Sequence, residues 1–157
     1  MLFVTHLAAA AVVGRLSRLP TVPLAAGAAT PDLIDKPLGA AGVVELYHSI
    51  GHSALVFAVL VPLALYSRLG VAVALGWASH LLFDVVHVVL NGRPGHALFL
   101  LWPLARSSDP LGLPPVAFVR HYLWTPSFYF EAVLWLALLA VFIWERRRGG
   151  LAPGMGG

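Results

Sequence analysis

Eight side chains in this sequence could do chemistry together: His6, Asp32, Asp35, His48, His52, His80, Asp84 and His87. All lie in or beside apolar stretches, in a chain of 157 residues where only 11% are charged and histidines equal acidic residues at seven each. An Asp near a bilayer interior costs about 2.5–3.5 kcal/mol on insertion scales, and a buried imidazole needs a hydrogen-bond partner. A divalent ion offsets such costs, since zinc sites reach about 10–16 kcal/mol and accept imidazole with carboxylate. The HLLFD spacing sets His80 and Asp84 one helical turn apart, and the two oxygens of Asp84 could bridge two ions. The expected ligands are His6, Asp32, His52, His80 and Asp84; Asp35 and His48 are expected as general base or as orienters of the ligands. His87, His96, Glu131 and Arg93 are possible additions. There is no cysteine, which excludes thiolate zinc, iron–sulfur clusters and a disulfide scaffold.

The elements that must position these groups are apolar segments. Hydrophobic residues make up 59% of the chain and mean hydropathy is +0.84, which excludes disorder and a coiled coil and points to the membrane. Leu2 to Leu19 reads as a retained helix, because no positive region precedes it and no cleavage site closes it. Pro20 and Pro23 break the chain before a short small-residue segment, Thr21 to Thr30, that runs into Pro31 and the two aspartates; the pair could form a re-entrant hairpin. Leu46 to Ser67 and Leu69 to Leu90 read as spans, and Asn91 to Gly95 as a turn. A proline-rich connector follows, with Ala97 to Leu104 as an interfacial or re-entrant piece, then a last span from about Ser127 to Trp144.

These readings predict an all-α, polytopic transmembrane bundle of four to five segments, forming one domain over residues 1–148, with a disordered Gly/Pro tail at 149–157. The formal charge of +3 forms no basic stripe, so no nucleic-acid partner is expected. If each segment reverses direction, Arg15, Arg18, Arg68 and Arg146 to Arg148 share one side, and Lys36, Arg93, Arg106 and Arg120 the other. The positive-inside rule then gives a multi-pass inner (plasma) membrane protein with its C-terminus in the cytoplasm and its metal site facing outside.

The same alternation brings the eight chemical side chains to one end of the bundle. Helical phase adds to this: positions 80, 84 and 87 fall within roughly 60° of one another and 48 and 52 within about 40°. Ala10 and Gly14, four and eight residues after His6, are small enough to admit a neighbouring helix.

The pieces THLAAA (from Thr5), ATPDLID (from Ala29), YHSIGHS (from Tyr47), GWASHLLFD (from Gly76) and LLWPL (from Leu100) carry a family resemblance. In that order and spacing the chain resembles a family of small prokaryotic inner-membrane proteins described as metal-dependent hydrolases and as LexA-binding. That family is distantly similar to the helical zinc phospholipase C and single-strand nuclease superfamily, which hydrolyses phosphate esters with up to three zinc ions. The resemblance implies that Asp32, His52, His80 and Asp84 hold one ion, and that His6 and the second oxygen of Asp84 serve another. Two departures stand out: no second His-x-x-x-Glu follows Asp84, and Ser49 stands where family members commonly carry Arg, leaving phosphate recognition to Arg93 or Arg120.

The expectation is a membrane-embedded metal-dependent hydrolase, with one or two ions, zinc or else manganese, and a metal-activated water acting on a phosphate ester such as a lipid-linked substrate. The rivals are a metal or proton transporter, whose ligands would be staggered through the bilayer, a bis-histidine haem protein, and a non-catalytic scaffold with a structural metal. Partners beyond the lipid bilayer and such a substrate, and the oligomeric state, are not legible.

Overall fold

A computed structural model describes residues 2–44, 48–105 and 115–149, and every regular element among them is helical. The elements are α1 (Phe3–Ser17), α2 (Thr21–Ala40), α3 (Ala54–Ala64), α4 (Arg68–Leu90), a 3₁₀ stretch (Pro94–Leu101), α5 (Pro115–Tyr122) and α6 (Pro126–Gly149). Two of them, α4 and α6 through Arg147, are long and apolar enough to cross a membrane. Arg106 and residues 150–157, which include most of the expected tail, lie outside the described residues, as do Glu45, Leu46 and Tyr47.

Small residues determine how α1, α2 and α4 pack. Arg18, in the left-handed region at φ 59°, ends α1 and turns the chain into α2. Ala10, Leu24, Ala28 and Ala72 form the buried apolar core of this three-helix contact. Gly27 and Gly76 let the α2 and α4 backbones touch: a Cβ on Gly27 would overlap the Val73 carbonyl, and one on Gly76 the Leu24 carbonyl. Only residues without a bulky side chain permit backbone contact of this kind between helices. Gly76→Ala is therefore expected to push α4 off α2, costing roughly 1–3 kcal/mol as an overpacking substitution and displacing His80, one turn further along α4. Thermal melts of the two proteins check this; equal midpoints would mean that the helices do not touch.

Two expected spans differ in the structure. The segment from Thr21 does not stop at Pro31 but continues as one helix to Ala40, with Pro31 buried inside it. A helix-interior proline costs about 3 kcal/mol, and the packing of Leu24, Gly27 and Ala28 against α4 offsets it. The second correction concerns Leu46 to Ser67, whose described part is helical only over Ala54–Ala64. Its early N–H groups cannot join a helix because they are bound elsewhere: those of Ser49, Gly51 and His52 all donate to the Asp35 carboxylate, at 2.7–3.1 Å. The helical phase argued for His48 and His52 does not apply, since both lie in this turn.

Arginines gather at one end. Arg15 Nη1 lies 3.3 Å from Glu145 Oε2, and the Arg68 guanidinium donates to the Arg18 carbonyl, so the end of α1, the start of α4 and the end of α6 are together. At the other end Glu131, near the start of α6, accepts from the Leu2 N–H at 2.7 Å and the Thr5 hydroxyl at 3.0 Å. The outer faces are apolar: Val59, Leu63, Val133, Leu136 and Leu139 are each more than half exposed.

Candidate metal centre

Two imidazoles of the centre, His52 and His80, are oriented through one nitrogen so that the other faces inward, whereas His6 Nδ1 has no hydrogen-bond partner among the described residues. His52 lies in the turn wrapped around Asp35, and its Nδ1 meets Asp35 Oδ2 at 2.7 Å, leaving Nε2 inward. The close approach of α2 and α4 sets His80 Nδ1 2.6 Å from the Ala28 carbonyl oxygen, to which an N–H there donates; its Nε2 also faces inward. Holding a histidine by its far nitrogen fixes the tautomer in which metal-binding histidines are found. Asp84, one turn after His80, sends Oδ2 to the same point and Oδ1 to His6 Nε2, at 3.3 Å.

The converging atoms have the spacing of a coordination shell. His52 Nε2 to His80 Nε2 is 3.1 Å, and Asp84 Oδ2 lies 3.1 Å from His80 Nε2 and 3.3 Å from His52 Nε2. Asp32 Oδ1 is 3.6 Å from His52 Nε2 and 4.0 Å from His80 Nε2. A tetrahedron of ligands about 2.0–2.1 Å from zinc has edges of about 3.3–3.4 Å. Three sets, His6 with His80 and Asp84, Asp32 with His52 and His80, and His48 with His52 and Asp84, each bring their ligand atoms within 4.8 Å of one another. Buried His and Asp side chains here could hold a metal ion. They are also tightly ion-paired among themselves.

Charge fits the same reading. Asp32, Asp35 and Asp84 are 7%, 0% and 5% exposed. Lys36 Nζ binds Asp32 Oδ2 at 2.8 Å, and three buried carboxylates favour a further cation among them. Without an ion, His52 takes up a proton. Burial works against its charge, but the Asp35 and Asp84 carboxylates on either side outweigh this and carry its pKa up to about 9.

The remaining expected residues divide clearly. Asp35 is fully buried and accepts five hydrogen bonds, from the N–H groups of Ser49, Gly51 and His52, the Ser49 hydroxyl and the His52 ring, so its position is that of an orienter. His48 is half exposed at the mouth, with Nε2 3.9 Å from Asp84 Oδ2 and its ring over Phe99 of the 3₁₀ stretch. His6 stacks on His80 with centroids 3.8 Å apart. His87 turns away and stacks on Tyr122, while Glu131 ties α6 to α1. His96 is half-buried and in none of the three sets, and Arg93 lines a different cavity.

Sequence reasoning missed three contributors. Lys36 had a legible signal, its i,i+4 spacing from Asp32. Ser49 gave a partial one: its hydroxyl donates to Asp35 at 2.9 Å. The Ala28 carbonyl left none, because a backbone acceptor is invisible until two helices are docked. Two weak motif pieces also meet, since the Ser53 hydroxyl donates to the Trp102 carbonyl at 2.6 Å. Neither a protein-family model, a curated protein nor a solved structure matches the chain.

Proposed function

We propose that the chain is a polytopic inner-membrane hydrolase with a zinc centre that acts on a phosphate ester at or near the lipid headgroups. The observation that carries it is the convergence of buried ligand atoms: His52 Nε2 and His80 Nε2 lie 3.1 Å apart, 3.1–3.3 Å from Asp84 Oδ2 and 3.6–4.0 Å from Asp32 Oδ1, with a second Asp84 oxygen turned to His6. A divalent ion held there would supply Lewis acidity and a water acidified toward neutral pH. The protein's own groups do the rest. Asp35 and the Ala28 carbonyl hold the His52 and His80 rings in register. His48, the half-exposed imidazole at the mouth, is placed to accept a proton from an attacking water. Lys36, half exposed on the outer oxygen of Asp32, is placed to meet an anionic oxygen of the substrate.

The membrane reading is supported by α4 and α6, by the apolar outer faces of α3 and α6, and by the arginines gathered at one end, which we take as cytoplasmic. In this reading α1, α2 and α3 complete four to five segments, the α1–α2 pair as a hairpin, and the centre opens to the outer side. Clustering of the ligands favours hydrolysis over transport, because a transport path would spread them along the bilayer normal.

The test is metal content by mass spectrometry of detergent-purified protein, followed by a phosphomonoester and phosphodiester screen. Wild type is expected to hold one or two zinc ions per chain and to release phosphate or alcohol from at least one substrate. His48→Ala is expected to keep the metal and lose about 10²–10⁴-fold in rate, the usual worth of a general base. Protein that binds neither zinc nor manganese would remove the reading; a metal-replete protein inert to every ester would leave the structural-metal scaffold.

A further inference from the structure

A cavity of about 380 Å³ lies where the end of α4 meets the corner between α5 and α6 and is lined by His87, Asn91, Arg93, His121, Tyr122 and Thr125. Its volume is in the range of small-ligand sites. It shares no residue with the three metal-ligand sets.

The walls are built rather than incidental. The Asn91 side chain donates to the Ser127 hydroxyl at 2.8 Å and accepts from the Ser127 N–H at 3.3 Å, strapping the end of α4 to the start of α6. Thr125 caps α6, accepting from the Phe128 N–H, and its own hydroxyl donates to the Tyr122 carbonyl at 2.7 Å. His87 is 9% exposed and stacked nearly parallel to the Tyr122 ring, and its Nδ1 has no hydrogen-bond partner among the described residues.

Among the described residues no lining side chain is acidic, and neither Arg93 nor His121 has an ion-pair partner. Glu131, which lies beyond Tyr122, is occupied by the Leu2 N–H and by the hydroxyls of Thr5 and Tyr122. The helix ends leave a net of about half a charge against an anion: the carbonyl ends of α4 and α5 disfavour one and the N–H end of α6 favours one, each worth about half a charge. The sign therefore rests on the full charge of Arg93, whose guanidinium fork matches two oxygens of a phosphate, with His121 to meet a third.

We infer that this cavity binds the phosphate group of a phosphomonoester, as a site separate from the metal centre. The inference goes beyond the hydrolase reading and does not rest on it, because phosphate would bind here with no metal present.

The experiment uses the full chain treated with EDTA, so that phosphate cannot bind through a metal. Inorganic phosphate and glycerol 3-phosphate are titrated by calorimetry. Separately, native mass spectrometry follows lipid retained from nanodiscs of phosphatidylcholine with and without phosphatidic acid. Saturable binding of the soluble compounds would support a free phosphate ester as ligand, and retention of phosphatidic acid alone would support a lipid headgroup. In either case Arg93→Gln is expected to weaken binding at least about tenfold, the worth of a charged hydrogen bond. Arg93→Lys should recover part of it, and Arg147→Gln, at the opposite end, should change nothing. Exposed His121→Gln gives a second readout if Arg93→Gln does not fold, with a smaller loss expected. Absence of binding by all three phosphates, or Arg93→Gln or His121→Gln binding as wild type does, would overturn the inference.

Discussion

Asp84→Ala is expected to empty the metal centre, whereas Asp35→Asn is expected to leave it occupied at about 10–100-fold lower affinity. The difference follows from what each carboxylate touches. Asp84 presents one oxygen to His52 and His80 and the other to His6, so its loss breaks two of the three ligand sets at once and takes from the third, Asp32 with His52 and His80, the carboxylate nearest its two imidazoles. Asp35 touches no inward-facing nitrogen; it holds His52 by Nδ1 and fixes the turn that carries it. Loss of such a supporting partner typically costs about 10–100-fold in metal affinity, and the neutral amide retains the shape of the side chain. Competition against a chromophoric chelator gives both affinities, and helical content by circular dichroism shows that each variant is folded. Should the alanine variant lose its fold, Asp84→Asn keeps the volume and is still expected to abolish the second ion. Wild-type affinity in both Asp84 variants would mean that the cluster is a metal-free ion-pair network.

The gathering of these residues was legible because two signals agreed. Alternating direction sent His6, Asp32, His52, His80 and Asp84 to one end, and the Ala10 and Gly14 spacing marked the α1 face that docks; Gly14 indeed lies against Thr21 at the start of α2. Segment boundaries were less legible. Pro31 reads as a stop in isolation, and only the docking of Gly27 on Val73 explains why α2 runs on. The YHSIGHS stretch reads as the start of a span because Leu46 to Ser67 is apolar and free of Asp, Glu, Lys and Arg; what overrides this is a carboxylate fourteen residues upstream that binds three of its backbone N–H groups. Long-range capture of backbone donors leaves no periodic trace. For the same reason Asp35 could be read from sequence as a base or as an orienter, and only the count of its donors separates the two.

Raising the pH is expected to destabilise the metal-free protein while strengthening its grip on zinc. In the metal-free chain the His52 pKa stands at about 9 against 6.5 for an ordinary histidine. A pKa raised on folding contributes stability that is complete below the unfolded value, near pH 6.5, and is lost as pH rises through about 9. The gap of about 2.5 units, at about 1.36 kcal/mol each, corresponds to roughly 3 kcal/mol. Zinc requires the neutral imidazole, so it must displace that proton: affinity should rise about tenfold per pH unit between 6.5 and 9, with about one proton released per ion in this range. Melting followed by tryptophan fluorescence, with EDTA or with zinc, should show two midpoints that diverge as pH rises, the metal-free one falling. Calorimetry in buffers of different ionisation enthalpy counts the proton directly. His52→Gln should flatten the metal-free curve, because an amide can still bond Asp35 but carries no charge to lose. A midpoint independent of pH in the wild type, together with zinc binding that releases no proton, would mean that His52 is neutral between its two carboxylates.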